Sequence, residues 1–452
     1  MTSTCFAAPD RRHFLGTTAT AFAALAASGC VSRGEGAVAT AAPRSADGFT
    51  GYGALRTDPA GLLDLPEGFS YRVISRLGDT MDDGGTVPDR ADGMGCFDLG
   101  NGEIALVRNH ELQPQHDAGG PIAKGYGKRN GVFVPGGTTT IVLDAATLAV
   151  KRQFRSLGGT IRNCSGGVTP WGTWLTCEEA PTGPGQPRGD GLDKSHGWVF
   201  EVPASARGLV DAVPLTAMGR FNHEAAAVDP ATGIVYQTED RDDSVLYRFL
   251  PKVPGKLAEG GRLQAMVIEG LADTRNWNSP AMAVGKPYRV SWVDLDEVEA
   301  PKDDLRQRAA AKGAALVARG EGLHMGSREV FACCTSGGAK QLGQILKLTP
   351  GVAGAPDMIE LFFESESTAQ FNYGDNLTVA PNGHLIVCED QYTDVSDNHI
   401  RGITPDGRPY NLARIAIQTE LAGGCFSPDG KWLFVNAYGP TATLAITGPW
   451  TA

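Results

Sequence analysis

Gly172-Thr-Trp-Leu-Thr-Cys-Glu178-Glu179 belongs to a sequence pattern that recurs along the chain and indicates the fold. Each phrase joins a turn ending in Gly to a short apolar run, and the closest copies carry a carboxylate six residues after the Gly. Two close copies are Gly233-Ile-Val-Tyr-Gln-Thr-Glu239-Asp240 and Gly383-His-Leu-Ile-Val-Cys-Glu389-Asp390, and three looser copies begin at Gly102, Gly326 and Gly430. Six copies spaced by roughly 50 to 90 residues are typical of a repeat architecture. They predict an all-β, six-bladed β-propeller rather than a wound α/β sheet.

The rest of the chain fits one propeller domain over residues 52–452. With 42% hydrophobic residues, 59 Gly and 28 Pro, the chain can bury a large core and is rich in turns. Only Lys302 to Arg319 has the composition of a substantial helix, and we predict that it is a helical insertion between blades.

The residues upstream of each turn suggest a chemical role for the repeat. If each phrase is a β-hairpin, its first and last residues lie side by side. We therefore expect Cys164 beside Glu178, Glu224 beside Glu239 and Asp375 beside Glu389, with Glu321 upstream of the Gly326 copy. Around a propeller axis these groups would converge at one mouth of the channel and repel each other unless cations neutralised them. For a single copy, solvated loop acids are the simpler interpretation, but the repetition favours a metal site.

Charge and cysteine content narrow the functional classes. The formal net charge of -11, with no basic patch, argues against a nucleic-acid-binding protein. The nine cysteines lack the spacing of a disulfide framework or a zinc ribbon, and most lie in apolar strands as small buried side chains. Cys164 differs because it stands in a polar, Gly-rich strand entry, where a thiolate could reach a metal.

The N-terminus predicts export. Arg11-Arg12-His13-Phe14-Leu15 precedes a short Ala-rich apolar run, which is typical of a twin-arginine signal in residues 1–30. Ala27-Ser28-Gly29-Cys30 resembles a lipoprotein cleavage box, so either Cys30 carries a lipid or the chain is cut nearby and released. Residues 31–51 would then form a flexible tether. We expect a periplasmic or extracellular monomer that uses the twin-arginine export machinery.

The segment Asn163-Cys164-Ser165-Gly166-Gly167 through Cys177-Glu178-Glu179 closely resembles the PhoX-type alkaline phosphatases of bacteria. The likeness continues at Arg108-Asn109-His110-Glu111, Phe221-Asn222-His223-Glu224, Arg319-Gly320-Glu321-Gly322, Gly374-Asp375-Asn376-Leu377 and Ser427-Pro428-Asp429-Gly430. The resemblance implies a six-bladed propeller whose Ca²⁺ and Fe³⁺ cluster hydrolyses phosphate monoesters for phosphate scavenging. It also implies that Cys164 ligates iron, that Glu224 and Glu321 are cluster ligands and that Arg319 binds phosphate.

Repeat geometry supplies the remaining predicted metal ligands, which are Glu111, Glu178, Glu239, Asp375, Asn376 and Glu389. Carboxylate and amide oxygens suit Ca²⁺, whereas a thiolate among them suits iron better. The guanidinium of Arg319 can form bidentate bonds to phosphate, although an Arg closing the predicted helix is the alternative. The sequence leaves two other classes open: a calcium-dependent propeller hydrolase such as a lactonase, and a non-catalytic calcium-binding propeller.

Overall fold

The structure, a computed structural model, describes residues 50–391 and 397–450. The predicted signal, Cys30 and all of the predicted tether before Thr50 lie outside the described residues. No helix in the described part of the chain is both long and apolar enough to cross a membrane.

Short strands make up almost all of the regular structure in these residues. The strands are β1 Leu55–Arg56, β2 Leu63–Pro66, β3 Ser70–Arg76, β4 Ala91–Gly100, β5 Glu103–His110, β6 Lys128–Arg129, β7 Val132–Phe133, β8 Gly136–Asp144, β9 Val150–Thr160, β10 Asn163–Val168, β11 Thr173–Glu178, β12 Val199–Pro203, β13 His223–Val228, β14 Val235–Glu239, β15 Ser244–Val245, β16 Tyr247–Pro251, β17 Gly261–Ile268, β18 Pro287–Asp294, β19 Leu316–Val317, β20 Gly320–Met325, β21 Val330–Cys334, β22 Gln344–Thr349, β23 Asp357–Glu364, β24 Gly374–Val379, β25 Leu385–Glu389, β26 His399–Ile403, β27 Pro409–Ile415, β28 Leu421–Phe426, β29 Trp432–Ala437 and β30 Ala442–Thr447. One α-helix, α1, spans Leu305–Ala311, and 3₁₀ turns span Thr216–Met218 and Leu257–Glu259.

The strands form antiparallel sheets arranged like propeller blades. Four strands each build the sheets β4-β5-β8-β9 and β28-β29-β30-β3, and three build β10-β11-β12. A nine-stranded sheet has the order β13-β14-β16-β17-β18-β23-β22-β21-β20, in which β18 pairs with β23. A six-stranded sheet has the order β1-β2-β27-β26-β25-β24. The innermost strands contact each other in the order β4, β10, β13, β20, β24 and β28, and β28 returns to β4. The predicted all-β, propeller-like fold is therefore confirmed.

The two ends of the described chain close this ring. Strand β3, near the start, pairs with β30, near the end, so one sheet holds both. The core lies between neighbouring sheets because each sheet has apolar faces to bury. Between β11 and β13, for example, Leu175 and Cys177 pack in one cluster with Ala226 and Phe249. Cys177 is thus a buried core thiol, as expected.

The predicted helix is much shorter than its composition suggested. Only Leu305–Ala311 is helical, and Gly313 follows with a φ of +95° that a helix cannot continue. Leu316–Val317 then pairs as β19 with β15, so strand pairing replaces the second half of the prediction. Arg319 lies eight residues beyond the helix, and the helix-capping interpretation of this side chain is therefore wrong.

Candidate metal centre

The same β-bulge occurs in each of the innermost hairpins. In β10 and β11, Asn163 pairs with Glu178 and Gly166 with Thr176, so three steps of the inner strand span two of its partner. The register shifts in the same way at Ala91/Met94, His223/Ala226, Gly320/Leu323, Gly374/Leu377 and Ala422/Cys425. A bulge bends a strand and re-aims a side chain. The first bulged residues are Asp92, Cys164, Glu224, Glu321, Asp375 and Gly423.

Glycines stand at three of the bulged positions, where adjacent bulges touch. A Cβ added at Gly93 would lie 2.6 Å from Ser165 Cα, and one at Gly322 would lie 2.5 Å from the Asp375 carbonyl oxygen. A Cβ at Gly423 would lie 2.3 Å from the Asp92 carbonyl oxygen. The bulges therefore form a tight ring around the axis, and side chains from different strands meet within it.

The ring brings acids and one thiol into three overlapping groups. The groups are Asp92 with Glu111 and Cys164, Cys164 with Glu179 and Glu224, and Glu224 with Glu321 and Asp375. All of these residues are buried, and the candidate ligand atoms of each group lie within 4.8 Å of one another. Because Cys164 and Glu224 each belong to two groups, the three form one continuous cluster, which we call the acidic cluster.

Glu224, at the centre of the acidic cluster, gives the clearest indication that the cluster binds cations. Its side chain is fully buried, and neither carboxylate oxygen has a hydrogen-bond partner. Burial, with Glu321, Glu179, Asp375 and Asp92 nearby, raises the pKa of Glu224 well above its ordinary value. An unpaired buried carboxylate costs several kcal/mol, roughly, unless a cation compensates it. The donor set therefore fits bound metal ions.

Cys164 is enclosed by the carboxylates of two of the groups. Its sulfur lies 3.6 Å from Asp92 Oδ2. Burial, together with Asp92, Glu224, Glu111 and Glu179, raises the pKa of the Cys164 thiol. A metal ion reverses this effect because it stabilises the coordinating thiolate.

The structure brings five of the nine predicted metal ligands together in the acidic cluster: Glu111, Cys164, Glu224, Glu321 and Asp375. Asn376 lies beside them in the same bulge as Asp375. Its amide nitrogen donates to Asp375 Oδ1 at 2.9 Å, and its Oδ1 accepts from the Gly423 N–H at 2.8 Å. Asn376 therefore orients Asp375 and links β24 to β28.

Glu178, Glu239 and Glu389 lie outside the three groups, and their carboxylates accept hydrogen bonds from protein donors. Glu178 accepts from His196 Nδ1 at 2.6 Å and from the backbone N–H of Gly197 at 2.8 Å. Glu389 accepts from Arg401 Nε at 2.6 Å and from the Asn372 N–H at 2.8 Å.

Glu239 follows the same pattern, with Tyr247 donating its hydroxyl at 2.6 Å and Arg306 Nη1 lying 3.4 Å away.

The physical reason is a register difference of one residue. The structure pairs Asn163 with Glu178, His223 with Glu239 and Gly374 with Glu389. Each of these partners lies one position before the predicted one, which was Cys164, Glu224 or Asp375. A one-residue slip turns a side chain to the other face of the sheet. Glu179, the residue after Glu178, consequently lies in the acidic cluster.

Sequence reasoning missed Asp92 and Glu179. Glu179 directly follows Glu178, and hairpin spacing alone could not choose between them. Asp92 stands ten residues before Gly102, close to the spacing of eight that separates Cys164 from Gly172. That spacing, applied to the first copy of the repeat, was a signal that could have found Asp92.

Arg319 is held at the edge of the acidic cluster by two carboxylates. Its Nε and Nη2 donate to the two oxygens of Asp240 at 2.7 and 3.0 Å, and Nη2 also donates to Glu321 Oε1 at 2.7 Å. The side chain is 16% exposed. A guanidinium fixed in this way lies beside a cluster acid and still reaches solvent.

Comparison with known proteins gives one family match. The model of a family described as alkaline phosphatase PhoX matches residues 50–150 and 135–441 of the chain. No curated protein matches the chain.

Among solved structures, Pseudomonas fluorescens PhoX in complex with vanadate, a transition state analogue, matches with a TM-score of 0.67. Sequence identity is 19%, and the match covers 86% of this chain and 96% of that chain. This likeness supports the fold. A gluconolactonase from Xanthomonas campestris, XC5397, matches at 15% identity over 88% of this chain and 98% of its own, but its TM-score of 0.40 is too low to inform the fold or the site.

Proposed function

Because the chain belongs to the alkaline phosphatase PhoX family and is thus a phosphoric monoester hydrolase, we propose that the acidic cluster holds the metal ions for this reaction. The observation that carries the proposal is the buried carboxylate of Glu224, which has no hydrogen-bond partner and is shared by two of the three ligand groups. Phosphate monoesters are the substrates.

The donor types support Ca²⁺ and Fe³⁺ as the ions. Asp92, Glu111, Glu179, Glu224, Glu321 and Asp375 offer the hard oxygens that Ca²⁺ takes in sets of six to eight. Cys164 adds a soft donor, which suits iron and has no use in a site for calcium alone. When bound, such ions neutralise phosphoryl charge and lower the pKa of a bound water.

Arg319 is proposed to bind the phosphoryl group of the substrate. Asp240 and Glu321 fix its guanidinium before the substrate arrives, so less side-chain entropy is lost on binding. Charge-assisted bonds from a positioned guanidinium hold the ester against the cluster and stabilise the charge of the transition state. Asn376 holds Asp375 in place within the acidic cluster.

The remaining parts of the proposal concern architecture and location. We propose six blades, supported by the six innermost strands that contact each other in ring order and by the repeated bulge. The twin-arginine motif supports export to the periplasm or beyond, with attachment through a lipid on Cys30 or release after cleavage. A monomeric phosphatase there would scavenge phosphate from esters.

A phosphomonoesterase assay on protein purified with its metals tests the function. Hydrolysis of p-nitrophenyl phosphate should be lost with a chelator and return with the metals, and elemental analysis should find calcium and iron. Full activity after complete metal removal would contradict the proposal. Calcium without iron in a fully active preparation would remove iron, and the ligand role of Cys164, from it.

A further inference from the structure

Arg162 occupies the same structural position as Arg319. Each has a left-handed backbone, with φ of 51° and 48°, a conformation that costs a non-glycine residue energy. Each stands two residues before a member of the acidic cluster, Cys164 or Glu321. Each also accepts a backbone hydrogen bond on its carbonyl oxygen, from Glu179 at 2.9 Å and from Thr335 at 3.1 Å.

The side chains of the two arginines have matching environments. Arg162 Nε donates to Glu111 Oε1 at 2.9 Å, and its Nη2 contacts both Glu111 Oε1, at 2.7 Å, and Glu179 Oε2. Like Arg319, it is bound by two carboxylates and is 16% exposed. Arg90 has the same backbone position before β4, but its Nη1 donates to the Tyr438 hydroxyl at 2.8 Å. The carboxylate pairing therefore distinguishes Arg162 and Arg319 from Arg90.

The two arginines flank the centre of the acidic cluster. Arg162 leads into β10 and Arg319 leads into β20, and β13, which carries Glu224, contacts both strands. The carboxylates bound to Arg162 belong to the two groups that share Cys164, whereas Arg319 binds Glu321 of the third group. A phosphoryl group bound over Glu224 would have one guanidinium on each side.

We infer that Arg162 is a second arginine that binds the phosphoryl group of the substrate, opposite Arg319. This inference rests on the proposed function and extends it to a residue on the other side of the site. A phosphomonoester dianion carries two negative charges and three terminal oxygens, so it can accept bonds from two guanidinium groups as well as from metal ions. Arg162 would thereby contribute to affinity for the ester and for inorganic phosphate.

Inorganic phosphate, used as a competitive inhibitor of the metal-loaded protein, is the probe. Arg162→Gly is the suitable truncation, because glycine adopts the left-handed conformation without strain. We expect the inhibition constant for phosphate to rise roughly 10- to 150-fold, the range for losing a hydrogen bond to a charged group. Arg162→Lys should recover part of the affinity. Arg248→Ala is the matched control, since Arg248 is 17% exposed and pairs with Asp357 on an outer strand, and its inhibition constant should equal that of the parent.

Metal content measured on the same samples distinguishes phosphate binding by Arg162 from a role in positioning the metal ligands. An increased inhibition constant at parental calcium and iron content supports the inference. Unchanged phosphate affinity per metal-loaded chain overturns it, whether or not metal content falls, since Arg162 would then only hold Glu111 and Glu179. If Arg162→Gly cannot be loaded, Arg162→Lys decides by the same criterion. A parent protein that neither hydrolyses esters nor binds phosphate would instead contradict the proposed function.

Discussion

At the scale of single residues, the acidic cluster depends on a few side chains whose burial would be unfavourable without a cation. Glu224 is fully buried and both of its oxygens are unpaired, whereas Glu178, of equal burial, has at least three protein donors. The two glutamates share a residue type and a burial but have opposite environments. Only the first has a structural need for metal ions.

Replacing Cys164 by Ser should lower iron content and phosphatase activity together. Serine keeps the shape but exchanges a soft, acidic donor for a hard and weakly acidic one. The fold should persist, as circular dichroism can verify, while elemental analysis follows iron. Cys177→Ala is the control, because Cys177 packs in the core. Its replacement should lower the free energy of unfolding by only about 1 kcal/mol or somewhat more. Equal iron in Cys164→Ser and parent would rule out the assignment.

Removing Arg319 should reduce turnover without changing metal content. We expect Arg319→Gly to cost on the order of 2 to 4 kcal/mol in transition-state stabilisation, roughly 30- to 1000-fold in kcat/KM. Glycine is preferable to alanine because φ at this position is 48°. Arg319→Lys should retain part of the activity, since lysine keeps the positive charge but lacks the planar, bidentate geometry of the guanidinium. Normal kcat/KM in the glycine variant would remove Arg319 from the site.

At the scale of elements, the repeated bulge is the device that turns strand ends into a site. It places the first bulged residue towards the axis, and neighbouring bulges approach each other closely at Gly93, Gly322 and Gly423. The helical insertion is tied to the same region from outside. Arg306 of α1 lies 3.4 Å from Glu239 Oε1, and Glu239 precedes Asp240, which binds Arg319.

Gly322→Ala should disturb β24 and weaken metal binding. The new Cβ would lie 2.5 Å from the Asp375 carbonyl oxygen and 2.6 Å from Leu377 N, which are backbone atoms that cannot turn away. We expect a loss of about 1–3 kcal/mol of stability, with reduced calcium content, because Asp375 moves with its strand. Gly208→Ala, where an added Cβ meets nothing within 4 Å, is the control. Urea unfolding and elemental analysis check both variants, and parental metal content in Gly322→Ala would contradict the close packing of the bulges.

Glu239 should make stability depend on pH. Burial raises its pKa from 4.5 to about 7, although Arg306 and the Tyr247 hydroxyl oppose the shift. The folded protein therefore retains a proton between pH 4.5 and about 7 that the unfolded chain has lost. This contribution to stability is present at low pH and disappears as pH rises to about 7.

Urea unfolding of parent and Glu239→Gln at about pH 5 and about pH 7.5 measures the effect of Glu239. The parent should lose more stability than the variant over this interval, since glutamine does not titrate. The same loss in both proteins would show that Glu239 is not the responsible group.

At the scale of the whole molecule, closure of the ring and metal binding support each other. The pairing of β3 with β30 fixes the ends of the described chain in one sheet, and the ring brings ligands from separate strands together. Metal ions at the axis would connect strands that are far apart in sequence. Ligands that bind only the folded state stabilise it by mass action.

Metal removal should therefore lower the melting temperature as well as abolish activity. One site filled at a hundredfold excess over its Kd contributes about 2.7 kcal/mol to stability. Calorimetry of the protein with and without chelator should show a decrease in Tm, reversed by adding back calcium and iron. The matched sample is Glu224→Gln, which lacks the negative charge at the centre of the acidic cluster. Its Tm should decrease less on addition of chelator than that of the parent. Identical melting of the chelated and loaded parent would contradict a structural link between the cluster and the ring.

Turn glycines and alternating strands are local signals, so the sequence predicts the fold class and the repeat, and together with the family resemblance it predicts five members of the acidic cluster. Spacing along the chain also placed Cys164, Glu224, Glu321 and Asp375 at equivalent positions. Which acid of the Glu178–Glu179 pair joins the acidic cluster became apparent from the structure, because the strand register differs by one residue and no local preference reveals it. The tertiary structure also limited the helix to Leu305–Ala311, because pairing of β19 with β15 overrides helix propensity. The placement of Arg162 beside Glu111 and Glu179 likewise depends on the packing of two neighbouring hairpins, which local sequence does not reveal.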